Sequence, residues 1–475
     1  MNINKKTKYI FLFVVILITD FLLLRFHGLI NHDQIFCFGF ANAILNGHVP
    51  YNDFNMIIFP LYPYLMAPFS KNLLTFHMFN AFLQAGIYSH ITYLIKNKPI
   101  KITFILFILL KITLFPFLDY NILMIYFVII SYVFLKKYFI SENKYFLLLT
   151  GIFLSMGLIT KHSLPAIIIV VLTIAMLIYS IKSKKIIDFI FYAIGGCVPA
   201  LLLLIIAYFN GYLFNMIDFV ILSMPDFSAW TKTTDNIIRP IDQITTILTI
   251  VFIFLSAFLA TLKKNKNVIY YIYLLSIISL LITKDYRTAL FSVFYALSII
   301  GIEFENEKIS FAISIKHISS YITCSILSFA VFCFSVAAIS EQIKVADSEF
   351  IITNEYEALE NSRILTFSYN YIKNIEEYTE ANKDKKILVV SALNRLYGIS
   401  QNETYEVFDM LIAGNLGIYN KAKIPEKLKE YDLIITAQVA MEMKYEEIYS
   451  YIENTYEEID KIPIENGYAQ VFKVQ

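Results

Sequence analysis

Cysteine is scarce in this sequence and is not grouped. The 475 residues contain four cysteines, which lie in or beside apolar segments: Cys37, Cys197, Cys324 and Cys333. None of them has the C-x-x-C spacing that is typical of zinc and redox sites. This usage argues against a disulfide-stabilised secreted scaffold. The sequence also lacks the G-x-G-x-x-G and P-loop patterns, so we assign it no nucleotide chemistry.

Charged residues are few, whereas apolar residues dominate. The chain is 58% hydrophobic and 16% charged, with a mean hydropathy of +0.62. A soluble core cannot absorb this much apolar surface, so the composition indicates a polytopic membrane protein. The first apolar segment, 9–24, is followed by no small-residue cleavage site of the A-x-A kind. We therefore interpret it as a retained span rather than a signal peptide.

The charges are divided unequally along the chain. From Glu341 onward there are 14 Lys and Arg against 24 Asp and Glu, a net charge of −10, whereas the residues before it carry +11. The sequence therefore predicts two regions: a transmembrane module, 1–340, and a soluble domain, 341–475. The acidic surface of the second region disfavours nucleic acid and other strongly anionic polymers as partners.

Apolar segments of spanning length recur through the first region. A membrane helix needs about 20 apolar residues, with a lower limit near 17, and the sequence predicts about eleven spans. Their approximate bounds are 9–25, 74–95, 102–118, 121–135, 145–160, 163–181, 186–208, 241–262, 268–283, 288–302 and 318–340. The predicted fold is thus a polytopic helical membrane protein.

The loops between these segments differ in charge. With the N-terminus inside, alternate loops are rich in lysine, which fits the positive-inside rule; they are "NKKTK", "KNKPIK", "LKKYFISENK", "IKSKK", "KKNKN" and "ENEKIS". The other loops then face outward and hold Asp33, Asp53 and Asp119. The sequence thus predicts a multi-pass protein of the cell membrane. With this count of spans, the domain after 341 is predicted to be extracytoplasmic.

The C-terminal region has the pattern of an α/β domain. The segment 358–381 is predicted to be helical, and "KKILVVSA" and "YDLIITA" are predicted to be strands. A second helix is predicted over "EEIYSYIENTYEE", followed by a hairpin around Asn466-Gly467, because N-G accommodates the positive φ angles of a type I′ turn.

The predicted first outer loop, 26–73, is unusually polar and aromatic: "GLINHDQIFCFGFANAILNGHVPYNDFNMIIFPLYPYLMAPF". Apolar residues at helical spacing predict a helix from Gln34 to Asn46, which Asn46-Gly47 ends. Asp33 occupies the predicted N-cap position. One interpretation is that Asp33 only caps a surface helix lying in the membrane interface.

The order of motifs resembles a known family. The start of this chain is similar to the first external loop of GT-C-fold glycosyltransferases, of the protein O-mannosyltransferase and lipid A aminoarabinose transferase type. The similar features are one span, then an acidic residue at a helix start, then "NG.VPY.DF" and "P.LY......P". "FPFLDYNILMIYFVIISYVFLKK" and "GIFLSMGLITKHSLPAIIIVVL" are similar to later spans of that family. The resemblance covers roughly residues 8–210 and implies a GT-C-like module that takes a sugar from a polyprenyl phosphate.

The resemblance also implies roles for particular residues. In that family the leading aspartate of the loop is the proposed general base, and only Asp33 matches its position. The chain departs from the pattern at Gln34, where many relatives carry a second acid. His32 beside Asp33 has no H-x-x-x-H partner spacing, so we predict no zinc site. A divalent metal cofactor has no motif in its favour.

The residue chemistry agrees with this function. Sugar transfer from a lipid phosphate requires a base for the acceptor hydroxyl and positive groups for the leaving phosphate. The outer loops supply candidate substrate-binding residues: Asp53, Asp119, Lys161, His162, Arg239, Lys284 and Arg287. Such basic residues also occur at span ends because they snorkel to headgroups. Lys161 is the strongest, since it lies between two apolar segments, whereas Asp20 is predicted to reach water from the outer end of its span and to be structural.

The sequence thus predicts an inverting membrane glycosyltransferase that uses a polyprenyl-phosphate-linked sugar at the outer face. The predicted acceptor is a saccharide, lipid or protein, either of the cell envelope or secreted. Membrane lipid is predicted to surround the transmembrane module. One alternative is a secondary transporter or lipid-linked-saccharide flippase, which predicts paired half-repeats with broken helices. Another is a non-catalytic envelope scaffold, for which the outer carboxylates are dispensable.

Overall fold

The computed structural model describes residues 5–28, 32–54, 56, 58–223, 268–277, 279, 286–303, 349–390, 419–437, 446–464 and 467–474. The chain is mostly helical, with a small β domain at the C-terminal end. Its contacts form two compact units. The first unit contains Met1–Leu24, Asn80–Leu203 and Asn236–Ala346, and the second contains Arg25–Phe79, Leu204–Asp235 and Asp347–Gln475. The C-terminal domain therefore belongs to the same unit as the first loop, and the predicted boundary at 340 lies outside the described residues.

The described helices before the C-terminal domain mostly follow the predicted apolar segments. They are α1 (Lys5–His27), α2 (His32–Leu45), α3 (Leu61–Met66), α4 (Leu73–Leu94), α5 (Lys98–Leu114), α6 (Tyr120–Ser141), α7 (Tyr145–Leu158), α8 (Ser163–Lys182), α9 (Ile186–Phe209), α10 (Leu213–Ile217), α11 (Val268–Leu275) and α12 (Tyr286–Glu303). A short π-helical turn, Asp218–Leu222, follows α10.

Four of the described helices are long and apolar enough to cross a membrane: Thr7–His27, Tyr120–Ser141, Ser163–Lys182 and Ile186–Phe209. These lie at four predicted spans. Helix α4 is also long, but it carries buried polar residues, and α5 is shorter at 17 residues. The predicted spans 241–262 and 318–340 lie outside the described residues. The total of about eleven spans stays a prediction.

Local sequence explains where several of these helices begin and pack. The Asn97 side chain accepts a hydrogen bond from Ile100 N at 3.2 Å and so caps α5, because the first N–H groups of a helix have no intrahelical partner. Helices α7 and α9 approach backbone to backbone. A Cβ at Gly151 would lie 2.3 Å from Tyr192 O, and one at Gly195 would lie 2.1 Å from Leu148 O. Only glycine permits this approach, because any Cβ would collide with the facing backbone.

The C-terminal domain contains both helices and strands, as its sequence predicts. Strands β1 (Phe350–Thr353) and β2 (Ser362–Leu365) form an antiparallel pair, followed by α13 (Thr366–Ala381). The other elements are β3 (Ile387–Val390), α14 (Tyr419–Leu428), β4 (Leu433–Ala437), α15 (Glu446–Thr455), β5 (Glu457–Ile464) and β6 (Gly467–Lys473).

The larger sheet has the strand order β3-β4-β6-β5. Strands β3 and β4 are parallel, and β6 pairs antiparallel with both β4 and β5. All four residues of β3 are buried, as expected for a strand that is covered on both faces. The predicted helix start at 358 is wrong, because Ser362–Leu365 pairs with β1 and the helix begins only at Thr366.

Candidate functional site

Helix α2 begins at His32, so Asp33 lies in its first turn rather than before it. The helix ends as predicted at Asn46-Gly47. His48 N donates to Ala43 O at 3.0 Å and Gly47 N to Ile44 O at 3.1 Å, with φ of +91° at Gly47. This is the Schellman arrangement, which favours glycine at its left-handed position. The Asp33 side chain lies outside the described residues, but a carboxylate in a first helical turn is stabilised as an anion by the helix dipole.

The surface-helix interpretation of α2 is wrong, because residues 34–43 are all buried. Gln34, next to Asp33, donates from Nε2 to His77 Nε2 of α4 at 2.7 Å, and His77 is fully buried. The Asn42 amide donates to Ser70 O at 2.8 Å. Buried polar groups of this kind must be hydrogen-bonded. The first loop is therefore folded, with Asp33 at the start of a largely buried helix whose two buried polar side chains, Gln34 and Asn42, are hydrogen-bonded.

Asp53 stabilises a turn in the same loop. Its Oδ2 accepts a hydrogen bond from Val49 N at 2.6 Å, and Asp53 N donates to Val49 O at 2.9 Å. The turn holds Tyr51 at a φ of +63° and buries its ring, whose hydroxyl donates to Ile58 O at 2.5 Å. Burial raises the pKa of Tyr51 well above its usual range, so its hydroxyl remains a donor. The half-buried Asp53 thus has a structural role in the described geometry.

Asp119, Asn121 and Lys161 form a connected set at the start of α6. Asp119 caps this helix, its Oδ1 accepting from Ile122 N at 3.1 Å. Its Oδ2 accepts from Asn121 Nδ2 at 2.9 Å, and Asn121 Oδ1 accepts from Lys161 Nζ at 2.7 Å. The Lys161 ammonium also lies 5.1 Å from the centre of the Tyr120 ring, within cation–π range. The geometry thus connects two of the residues that the sequence predicts to be substrate-binding.

His162 lies beside Lys161, directly before α8. Burial, and then the positive charge of Lys161, lower the pKa of His162 from 6.5 to about 4. The imidazole is therefore neutral at physiological pH. Helix α8 begins at Ser163, so the positive end of its backbone dipole follows Lys161 in the chain. This segment can attract an anion through Lys161 without adding a second formal charge from His162.

The remaining predicted site residues are less well defined. Arg287 is the second residue of α12, and its side chain lies outside the described part of the structure. Arg239 and Lys284 lie outside the described residues altogether. Among the residues that are described, no three His, Cys, Asp or Glu side chains are grouped so that they could hold a metal ion.

The C-terminal domain contacts the first loop at the end of α1. Arg25 Nη2 donates to Asn361 O at 2.7 Å, and Arg363 Nη1 donates to Phe26 O at 2.7 Å. The Arg363 guanidinium also lies 4.9 Å from the Phe26 ring centre. At Gly28, a Cβ would lie 2.0 Å from Arg363 O. These contacts place the C-terminal domain and the first loop side by side within one unit.

A second connection joins this domain to the segment after α9. Both carboxylate oxygens of Asp218 accept from Tyr419 N, at 3.2 and 3.1 Å, and Oδ2 accepts from Asn420 N at 3.0 Å. These are the first N–H groups of α14, so Asp218 caps a helix that is distant in sequence. Asn215 extends the connection by donating to Asn52 Oδ1 of the first loop at 2.8 Å.

Sequence reasoning missed a polar stripe along α4. His77, Asn80, Gln84 and Tyr88 are all fully buried, and their spacing of three and four residues puts them on one face of the helix. This spacing within a predicted apolar span is the signal that identifies them. The expectation that Asp20 reaches water is also wrong, since its exposure is 0% and Gln84 Nε2 donates to its Oδ2 at 2.5 Å.

Comparison with protein-family models, curated proteins and solved structures finds no match to this chain. The resemblance to GT-C-fold glycosyltransferases therefore depends on the quoted sequence motifs alone. The hydrogen bonds among Asp119, Asn121 and Lys161 are independent of that resemblance, because they are contacts within this chain.

Proposed function

We propose that this protein is an integral membrane glycosyltransferase, GT-C-like in fold, that moves a sugar from a polyprenyl phosphate to an acceptor hydroxyl at the outer membrane face. The observation that carries the proposal is the hydrogen-bonded set of Asp119, Asn121 and Lys161 at the start of α6. It holds an ammonium group in a fixed place at the end of a predicted span. A lipid phosphate enters a site from the membrane, so a cation at this depth suits its recognition.

In the proposed reaction Asp33 accepts the proton of the acceptor hydroxyl. The hydroxyl oxygen forms a bond to the anomeric carbon while the bond from that carbon to the phosphate oxygen breaks. The polyprenyl phosphate leaves with the electron pair, and Lys161 and Arg287 stabilise its negative charge. A single displacement inverts the anomeric configuration, which agrees with the family resemblance.

The test replaces Asp33 by asparagine. Asn keeps the shape of Asp but does not take up the proton. We expect Asp33→Asn to express and to bind donor normally, while turnover of lipid-linked sugar falls about a hundredfold or more, the usual contribution of a positioned base.

Asp53→Asn is the matched control for this experiment. Asp53 lies in the same loop, and an asparagine oxygen can still accept the hydrogen bond from Val49 N. We expect turnover close to that of the unmodified protein. Normal turnover by well-folded Asp33→Asn protein would refute Asp33 as the base.

A transporter is the second candidate, because Asp20 and Lys111 are buried ionisable residues within apolar helices and such residues often mark ion pathways. Proteoliposomes distinguish the two functions. A transferase consumes lipid-linked sugar in the presence of acceptor, whereas a flippase changes only the leaflet in which the lipid is found.

A further inference from the structure

A buried polar network lies in the first unit, apart from the residues to which the resemblance assigns a role. Asp20 of α1, Gln84 of α4 and Lys111 of α5 are 0%, 0% and 1% exposed. Asp20 Oδ1 has no hydrogen-bond partner among the described residues. An ionised side chain inside a membrane protein is costly even with a partner. The presence of both Asp20 and Lys111 in one buried network therefore requires an explanation beyond packing.

The side-chain amide of Gln84 connects Asp20 to Lys111, and it donates two hydrogen bonds and accepts two. Its Nε2 donates to Asp20 Oδ2 and to Pro116 O, both at 2.5 Å. Its Oε1 accepts from Lys111 Nζ and from Tyr88 OH. The amide N–H groups thus face the carboxylate and the carbonyl oxygen faces the ammonium. Both charges favour this one orientation of the amide, because a rotation by 180° would oppose like partial charges.

The same network holds the backbone of the connection between α5 and α6. Pro116 O accepts from Gln84 and Phe117 O accepts from Lys111 Nζ at 2.8 Å. Leu118 is held on both sides, because its N donates to Asn80 Oδ1 and its O accepts from Asn80 Nδ2, each at 2.9 Å. Three consecutive residues are therefore fixed by side chains of α4 and α5 rather than by regular secondary structure.

The next residue in the chain is Asp119, which caps α6 and connects through Asn121 to Lys161. We propose that Asp20, Gln84 and Lys111 are positioning residues: they fix the Pro116–Phe117 backbone, next to the Leu118 that Asn80 holds, and thereby set the place of the Lys161 ammonium, which binds the phosphate of a polyprenyl lipid. This inference rests on the proposed function for the identity of the ligand. The positioning itself concerns only contacts within one unit.

A charged network performs this task better than an apolar one. Apolar packing is nondirectional and tolerates small shifts of the backbone, whereas a hydrogen bond weakens steeply when its angle or length changes. Lys111 donates to the Phe117 carbonyl, which lies in a stretch without regular secondary structure. Asp20 in turn compensates the charge of Lys111 without contacting the connection itself.

The experiment uses the full-length protein in lipid nanodiscs and compares Gln84→Met with the unmodified chain. Methionine has a similar length but cannot make the four hydrogen bonds. We expect faster amide exchange in the peptide 115–123. We also expect binding of polyprenyl phosphate that is about tenfold weaker, which corresponds to losing one hydrogen bond to a charged group. In turnover assays the KM for donor should rise while kcat changes little.

Thr92→Val is the matched control. Thr92 lies on the same helix, is 1% exposed and donates to the Tyr88 carbonyl of its own helix at 2.7 Å. Its replacement also converts a buried polar side chain to an apolar one, so exchange in 115–123 and lipid binding should stay unchanged. If Gln84→Met does not accumulate, the double variant Asp20→Asn, Lys111→Met removes both charges together and should give the same two changes.

Two results overturn the proposal. One is unchanged exchange in 115–123 of folded Gln84→Met protein, and the other is faster exchange with unchanged affinity for polyprenyl phosphate. A failure of the proposed function is distinguishable from both. In that case the unmodified protein does not bind polyprenyl phosphate, while the exchange measurement still decides whether the network fixes the connection.

Discussion

At the scale of single residues, His162 shows how its surroundings determine its charge. Its pKa is lowered from 6.5 to about 4 by burial and by Lys161. Between pH 4 and pH 6.5, His162 of the unfolded chain binds a proton that His162 of the folded chain does not bind. The folded state is therefore favoured least at low pH, and its stability rises as pH increases from about 4 to 6.5.

This gives a prediction for His162→Gln, whose side chain is neutral at every pH. Relative to that variant, the unmodified protein should lose thermal stability as pH falls from 6.5 towards 4, and the difference should stop growing below about pH 4. The measurement is the midpoint of thermal unfolding across this pH range. In a Lys161→Met background the same loss should begin at a similar pH but be smaller, because the pKa of His162 is then closer to 6.5. A pH-independent difference would contradict the assigned pKa shift.

At the scale of secondary-structure elements, two glycines mark the edges of the buried first-loop helix. Gly28 precedes α2 with a φ of +67°, and Gly47 follows it with a φ of +91°. Both backbone conformations are strained for a residue with a Cβ. Only at Gly28 is there a close neighbour, since nothing lies within 4 Å of a Cβ built at Gly47.

We therefore expect Gly28→Ala to be more damaging than Gly47→Ala. Alanine at position 47 adds only the backbone strain, about 1–2 kcal/mol, whereas at position 28 it also displaces the Arg363 backbone. The displacement should loosen the hydrogen bond from Arg363 to Phe26 and with it the contact between the first loop and the C-terminal domain. Limited proteolysis should release C-terminal fragments faster from Gly28→Ala than from Gly47→Ala. Equal rates would mean that the Arg363 contact does not hold the domain.

At the scale of the whole molecule, the second unit joins parts of the chain that are far apart in sequence. Arg25–Phe79 and Asp347–Gln475 belong to it together. Contacts of Arg25 and Arg363, and the cap that Asp218 gives to α14, connect these parts. These contacts therefore predict that the C-terminal domain and the first loop share one face of the membrane.

This placement predicts a labelling pattern in a cysteine-free background. Asn46→Cys in the first loop and Lys429→Cys in the C-terminal domain are exposed positions, and both should react with a membrane-impermeant reagent in intact cells. Lys144→Cys, in a predicted inner loop, should react only after the membrane is permeabilised. Labelling of Asn46→Cys without Lys429→Cys would refute the shared face, while labelling of Lys144→Cys alone would reverse the predicted orientation.

The sequence by itself determined the apolar helical character of the first region, the bounds of most described helices and the mixture of helices and strands in the C-terminal domain. These properties depend on composition and on apolar periodicity, which are local. The stop of α2 at Asn46-Gly47 and the strands near Ile387 and Leu433 were predictable for the same reason. The start of α13 was not, because Ser362–Leu365 becomes a strand only through its pairing with β1.

Only the tertiary structure decided which polar residues meet. No local pattern pairs Gln84 with Asp20 and Lys111, or Asp218 with the start of α14, because these contacts join residues separated by 64, 27 and about 200 positions. It also decided that Asp53 holds a turn and that Asp20 is buried. Hydrogen-bond partners depend on how helices pack against one another, and packing is a property of the folded chain that spacing along the sequence does not contain.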